Sequence, residues 1–315
     1  PIASAAMSSS FTTLPVRAPR LAPMLCAALL ACYVVWGSTY LAIRIALTSF
    51  PPFFQMGTRF LVAGALLMGW VAWRRYRTPG QKPRPTWPDA RQWGHALLIG
   101  GLMLGIGMGL TATASIHISS GLIAACIAVV PMMISGWGLL WGRKPSRGEL
   151  AGMALGLGGV LLLMRGASFA ASPASVACIL AATAAWSLGS VLSTTRFALA
   201  PGASGFASEM LCGGALLMLA SFALGERPQW PPQPAAVAAW LYLVVLGSLV
   251  AFSAYMYLLA HASAPLASSY AFVNPLIALL LGSALAGESV TGGEWLACAV
   301  ILAAVLLILL ARRSR

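Results

Sequence analysis

Three ionisable side chains stand inside stretches of the chain that are otherwise free of charge: Arg44, Arg59 and Glu209. An ion held in hydrocarbon costs about 2.5–3.5 kcal/mol on insertion scales, so each is a candidate for handling an ion or a substrate. Glu209 is the one carboxylate among them and the candidate coupling residue for proton-driven transport. A carboxylate satisfied by backbone or by an interfacial arginine such as Arg196 is the favoured reading, with a proton or cation site as the alternative. For Arg44 and Arg59, the long side chain reaching the outer interface is favoured over a substrate site. Neutral polar and aromatic groups are more plentiful. Trp36-Gly37-Ser38-Thr39-Tyr40 interrupts one apolar run, and Trp186-Ser187-Leu188-Gly189-Ser190 interrupts another 150 residues later. With Tyr255, Ser269, Tyr270 and Asn274 they supply the candidate substrate contacts: Trp36, Ser38, Tyr40, Trp186, Tyr255, Ser269, Tyr270 and Asn274. Aromatic walls and neutral hydrogen-bonding groups suit a zwitterion better than a multivalent anion, which calls for paired inward Lys or Arg residues. Pro131 and Pro275 each remove a backbone hydrogen bond inside an apolar run and are the candidate hinges. Loosened backbone of this kind is tolerated at membrane depth where it is buried in protein or lines a wet cavity.

Other chemistries fit poorly. The six cysteines lie inside apolar runs and form no CxxC, so they read as small packed hydrophobes, and no metal site is expected. Gly202-Ala203-Ser204-Gly205 hints at a nucleophilic serine but has no strand–turn–helix context, which argues against an intramembrane hydrolase. Gly101, Gly105 and Gly109, like Gly152 and Gly156, repeat at a helical spacing that lets helices approach closely in lipid. They read as packing surfaces, not as a nucleotide loop. His117 and His261 stand at matching turns between runs, where packing or capping is favoured over a pH switch.

The elements that must position these groups are membrane helices. The chain has 315 residues, of which 60% are hydrophobic and only 8% charged. Soluble domains carry about 25% charged residues, so the solvent of this chain is lipid. The net charge of +13 comes from basic residues at the ends of apolar runs, which does not describe a nucleic-acid surface. Spans of about 20 residues, divided at Pro, Gly and charge clusters, give ten segments: 24–46, 53–73, 93–113, 119–141, 149–165, 173–194, 206–225, 236–258, 265–286 and 293–311. The second half repeats the first. Leu61, Gly64, Ala65, Leu66, Leu67 and Met68 recur after 150 residues, and Pro131 recurs at Pro275 after 144. Each half holds an odd number of spans, so duplication turns the second half over. The predicted fold is all-α, ten transmembrane helices as two inverted five-helix repeats over 24–165 and 173–311. Residues 1–23 form a loose N-terminal segment, of which 1–6, ahead of Met7, read as an expression scar. With the N-terminus inside, fifteen Lys and Arg fall in cytoplasmic segments against two, Arg165 and Arg227, in the opposite loops. Both termini are therefore expected in the cytoplasm.

Several stretches carry a family resemblance. VVWGSTYLAIRIAL near the start, SYAFVNPLIALLLGSALAGES at 269–289 and EWLACAVILAAVLLIL at 294–309 resemble the EamA branch of the drug/metabolite transporter superfamily. The resemblance spans the chain after residue 24. It implies ten helices, inverted repeats, a bacterial inner-membrane location and export of small metabolites, often amino acids. The family's helix-4 and helix-9 prolines map onto Pro131 and Pro275, and its Gly-Glu after helix 9 onto Gly287-Glu288. In the first repeat Arg143-Lys144 stands where Gly-Glu is usual, a departure from the pattern. The expectation is a non-enzymatic exporter of amino acids or related metabolites, working by alternating access around a cavity formed by spans 1, 3, 4, 6, 8 and 9. Its partners would be a small-molecule substrate and the bilayer, with no cofactor and no nucleic acid, and it would act as a monomer. With only Glu209 titratable at depth, a facilitator is favoured. The alternative is a multidrug or lipid-precursor exporter on the same fold, proton-coupled through Glu209.

Overall fold

A computed structural model describes residues 23–77, 86–117, 123, 126–164, 173–286 and 291–313. The Gly287-Glu288 motif and the residues that flank the repeat boundary, 165–172, lie outside them. Ten principal helices follow one another: α1 Pro23–Ala46, α2 Pro52–Arg77, α3 Ala90–Ala114, α4 Val130–Leu139, α5 Arg147–Met164, α6 Pro173–Thr195, α7 Ala203–Ala223, α8 Pro234–His261, α9 Tyr270–Ala286 and α10 Gly292–Arg313. Among the described residues there is no strand. Among the described residues, six helices (α1, α2, α3, α6, α7 and α8) are both long and apolar enough to cross a membrane.

The boundaries have local causes. Asp89 caps α3, its carboxylate accepting from the Gln92 N–H at 2.7 Å while the Gln92 side chain accepts from the Asp89 N–H. Ser146 and Glu149 form the same reciprocal box at the start of α5. Pro51-Pro52 opens α2, whose free N–H groups at Phe53 and Phe54 are bound by the Glu226 carboxylate at 3.1 and 2.7 Å. Gly142, beyond α4, and Gly225, beyond α7, take φ of 71° and 67°, which a side chain would resist.

Helices α2 and α7 pack antiparallel, and α5 packs against α10. A Cβ on Gly64 would stand 3.0 Å from the Leu211 backbone N, and one on Gly214 would stand 2.8 Å from the Leu61 backbone N. Gly152 and Gly156 do the same work for α5, against Ile308 of α10 and Phe272 of α9. On α3, Gly109 closes on Leu217 and Phe53, whereas Gly105 faces a lipid-side groove. The remaining neighbours exchange in pairs. Helix α1 touches α8 and α9, while α6 touches α3 and α4; α2 touches α8, while α7 touches α3.

One end of the bundle holds the α1–α2 connection, where Ser49 accepts from the Gln229 N–H at 2.8 Å. At the other, the Arg143 guanidinium donates to Thr194. These are the Ser49 end and the Arg143 end below. Pro23 and Arg313 both belong to the Arg143 end, since the first turns of α1 pack on Ser253–His261 and a Cβ on Gly148 would meet Ala311.

Three helices widen locally to π-type turns: Ala31–Val35 in α1, Gly101–Met108 in α3 and Leu243–Phe252 in α8. Helix α9 is preceded by a separate turn, Ala264–Ala267, and breaks at Ser268–Ser269, where bonds tighten to the i→i+3 pattern. Pro131 sits at the first turn of α4, directly after a break at Ala128–Val129; Pro275 lies within α9.

Overpacking a well-filled contact costs about 1–3 kcal/mol. Gly214→Val is expected to lower unfolding stability in detergent by that much, whereas Gly69→Ala, with nothing within 4 Å of the added Cβ, leaves it unchanged. Loss of helical circular dichroism on heating measures both.

Candidate functional site

Four of the aromatic candidates meet as one layer. Trp36 of α1 lies with its ring centroid 5.6 Å from Trp186 of α6, 5.1 Å from Tyr255 of α8 and 4.7 Å from Tyr270 of α9. Trp186 and Tyr255 stack at 5.5 Å, and Tyr255 meets Tyr270 edge-on at 5.4 Å. Edge-to-face and offset contacts of this kind add about 0.5–1.5 kcal/mol each beyond the area they bury. The layer is also bonded into place. Trp36 Nε1 donates to the Gly247 carbonyl at 3.2 Å, in the widened turn of α8, and the Tyr255 hydroxyl bonds Ser190 at 2.8 Å.

On the Ser49 side of this layer lies a small cavity of about 50 Å³. Its walls come from α1, α2, α3, α4, α6, α8 and α9, including Trp36, Tyr40, Trp186 and Tyr270. Helix α2, absent from the expected set of lining helices, contributes Arg59 and Phe60. On the Arg143 side lies a more polar recess, lined by Ser190, Arg143, Lys144 and Glu149 among others. Trp186 faces the cavity and Ser190, one turn on, faces the recess. The aromatic layer is the partition.

The polar candidates are placed differently. Ser38 bonds the Tyr242 hydroxyl at 2.5 Å and its own Val35 carbonyl. Ser269 bonds Tyr33 at 2.6 Å and the Leu266 carbonyl. Asn274 donates to the Tyr40 hydroxyl at 3.3 Å, and its Oδ1 has no partner among the described residues. These three tie α1 to α8 and α9, and none of them lines the cavity. The hydroxyl-bearing residues that do are Thr39, Thr111 and Thr183, together with Tyr40 and Tyr270.

The two buried ions depart from the reading of the sequence. Arg59 does not reach the interface: it is 2% exposed and lines the cavity. Its Nε donates to Ser248 Oγ at 2.7 Å, its guanidinium carbon lies 4.8 Å from the Phe60 ring centre, and no carboxylate pairs with it among the described residues. The reason is rotational. Arg59 stands on the face of α2 that packs on α8, where a widened turn and Gly247 leave room for the guanidinium; a Cβ on Gly247 would lie 2.7 Å from Nη2. Arg44 is exposed and lines a pocket at the Ser49 end, as an interfacial arginine should. Glu209 is fully buried, yet neither oxygen has a hydrogen-bond partner among the described residues, so neither the described backbone nor Arg196 satisfies it. Nor does Arg59. The α2–α7 register sets Gly64 beside Leu211 and Gly57 beside Met218, which leaves Arg59 and Glu209 about 10 Å apart along the axis.

Hidden basic residues on a cavity wall could have been sought from the sequence by asking which face of α2 is apolar-small. Gly57, Gly64 and the helical spacing between them mark the α7-facing side, and Arg59 stands off it.

The comparisons with known proteins agree with a transporter built in this way. The model of the EamA-like transporter family matches twice, over residues 23–165 and 174–310. The chain belongs to the EamA family. It is 39% identical over 286 residues to the inner membrane transporter YedA of Escherichia coli strain K12, covering 90% of each chain. It is 24% identical over 289 residues to the protein PecM of Dickeya dadantii, covering 87% of this chain and 88% of that one. A solved crystal structure has the same fold, with a TM-score of 0.72 at 23% identity over 92% of this chain and 98% of the other. This EamA protein is a multi-pass inner-membrane transporter of a small molecule, not an enzyme.

Removing a large buried aromatic side chain costs about 3–5 kcal/mol, and losing one hydrogen bond about 1 kcal/mol. Trp186→Ala is therefore expected to destabilise the bundle strongly and Tyr255→Phe only mildly. Denaturation in a mixed-detergent titration, followed by helical circular dichroism, compares the two.

Proposed function

We propose that this EamA protein exports small metabolites, amino acids foremost, by alternating access between two inverted five-helix repeats, residues 24–165 and 173–311. The observation that carries the reading is the aromatic layer. Trp36 and Trp186, 150 residues apart, contact one another between a cavity on one side and a polar recess on the other. A partition built from one tryptophan of each half opens if the halves rock about it. The exchange of helix neighbours supports the inversion, since swapping 1 with 6, 2 with 7, 3 with 8, 4 with 9 and 5 with 10 carries each principal pairing into another or into itself.

The Arg143 end gathers Arg74, Arg75, Arg77, Arg143, Lys144, Arg147 and Arg196, and it is assigned to the cytoplasm by the excess of basic residues. Both termini then lie inside, and the present cavity is the half of the route on the far side of the partition. Trp36, Tyr40, Trp186, Tyr255 and Tyr270 wall or close the substrate space. Ser38, Ser269 and Asn274 come into reach of substrate only as α1, α8 and α9 separate. Breaks beside Pro131 and ahead of Pro275 are where α4 and α9 flex. The joined repeats act as a monomer and without a driving ion. A second reading, a proton-coupled exporter of drugs or lipid precursors, is favoured by one observation: both Glu209 oxygens lack a partner among the described residues.

Uptake of labelled neutral amino acids into proteoliposomes, with and without a pH gradient, separates these readings. The expected result is uptake indifferent to the gradient, lost in Trp36→Ala and kept in Glu209→Gln. Normal transport by both Trp36→Ala and Asn274→Ala would remove the proposed site. Gradient-driven uptake that vanishes in Glu209→Gln would establish coupling through that carboxylate.

A further inference from the structure

We propose that Arg59 holds the carboxylate of the transported molecule, so that the route selects small carboxylates, zwitterions included, and rejects organic cations. This rests on the transport reading above, and it names the feature of the substrate that the central cavity recognises.

Arginine carries five N–H donors in a planar fork and cannot accept a bond. In Arg59 the Nε–H is used by Ser248, and Nη1 has only the Met56 sulfur at 3.6 Å, a weak acceptor. Nη2 has no acceptor among the described residues, although the side chain lines the cavity. A buried cation whose partner is missing costs far more than a paired one, so an ion kept at this depth is matched to something that arrives. The edge left open is the one that binds a carboxylate by two parallel N–H···O bonds. Ser248 orients the fork, and Gly247, with no side chain, lets it lie against α8. Trp36, Tyr270 and Phe60 supply an apolar and aromatic enclosure on the same cavity, suited to the rest of such a molecule.

The charges at the two mouths agree. The pocket at the Ser49 end, one turn beyond Ile43 of the cavity, is lined by Arg44 and Arg227, both exposed. The recess at the Arg143 end is lined by Arg143 and Lys144. It also holds Glu149, but that carboxylate is bonded to the Ser146 N–H and is nearly buried. Of the other carboxylates with described side chains, Asp89 and Glu226 cap helices and Glu209 does not line the cavity. Positive potential at each opening and at the centre concentrates anions and repels cations along the route. Arg143-Lys144, the pair that departs from the EamA pattern, thus stands at one mouth.

Three probes that share a phenyl ring separate the charges: phenylalanine, phenylalaninamide, which lacks the carboxylate, and 3-phenylpropionate, which lacks the ammonium. Each is titrated into the purified full-length protein in detergent while the thermal unfolding midpoint is followed. Phenylalanine and 3-phenylpropionate are expected to raise it and phenylalaninamide to leave it unmoved. In Arg59→Gln the affinity for both acids should fall about tenfold or more, the loss of a charged bidentate contact, while Arg59→Lys should lie between. The unliganded midpoint of each variant reports directly whether it is folded, and Gly247→Ala, which displaces Nη2 without removing the charge, should weaken both acids as well. Stabilisation by phenylalaninamide equal to that by the acids, unchanged acid binding in Arg59→Gln, or no response of the wild-type protein to either acid would each overturn the proposal. A response to 3-phenylpropionate without one to phenylalanine would uphold Arg59 as the carboxylate site and count against amino acids as the cargo.

Discussion

Hydrocarbon offers no hydrogen bonds, and nearly every feature of this bundle follows from that constraint. A backbone or side-chain group left unpaired in lipid costs several kcal/mol, so each must find its partner inside the protein. Straight α-helices would satisfy the backbone completely and leave side-chain donors stranded. The chain solves this with wide turns in α1, α3 and α8. A π-type turn frees a carbonyl from the regular ladder and offers it to a neighbour. Gly247 in the α8 turn accepts from Trp36, and Ala251 a turn later accepts from the Cys32 thiol. The same turn makes space for Arg59. Loosened backbone, aromatic partition and buried cation are one construction.

The construction depends on small residues elsewhere. Apolar side chains gain nothing by leaving lipid for another helix, so association rests on close packing and on polar contacts. Gly57, Gly64 and Gly214 bring the α2 and α7 backbones together, and Gly152 with Gly156 does so for α5 against α10 and α9. These seams leave α1, α3, α4, α6, α8 and α9 to surround the cavity. Helix α2 belongs to both parts. One face makes the seam and the other presents Arg59, so the ion is held on an element that the seam keeps in place.

The two ends of the molecule are tied differently from its middle. At the Ser49 end, Ser49 meets Gln229 and Gln233, and Glu226 caps α2. At the Arg143 end, the Arg143 guanidinium bonds Thr194, and His95 meets the Ala198 carbonyl. Each tie joins the first half of the chain to the second through loop or helix-end groups. A neutral hydrogen bond of this type contributes about 0.5–1.5 kcal/mol, and one to a charged group such as Glu226 or Arg143 about 1.5–3 kcal/mol.

How much of this was written in the sequence can be argued residue by residue. Ten helices and a membrane location follow from the lengths of apolar runs, because lipid thickness and helical rise set a near-fixed span. Trp36 and Trp186 were legible as a pair through the internal repeat, and their depth in the runs marked them off from interfacial aromatics. The roles of Ser38, Ser269 and Asn274 were not legible, because whether a hydroxyl or amide faces a cavity or a neighbouring helix depends on the rotation of that helix. Arg59 shows the same limit most clearly. From the sequence it stands two turns from a helix end, where a long side chain can reach water, and nothing local forbids that. Only the packing of α2 between α7 and α8 turned it inward, and only the missing side chain at Gly247 gave it somewhere to lie. The sequence by itself determined the solvent, the number of helices and their internal repetition, since those depend on composition and length alone. The tertiary structure decided which polar groups meet, because that depends on helix azimuth and register, quantities no single helix carries.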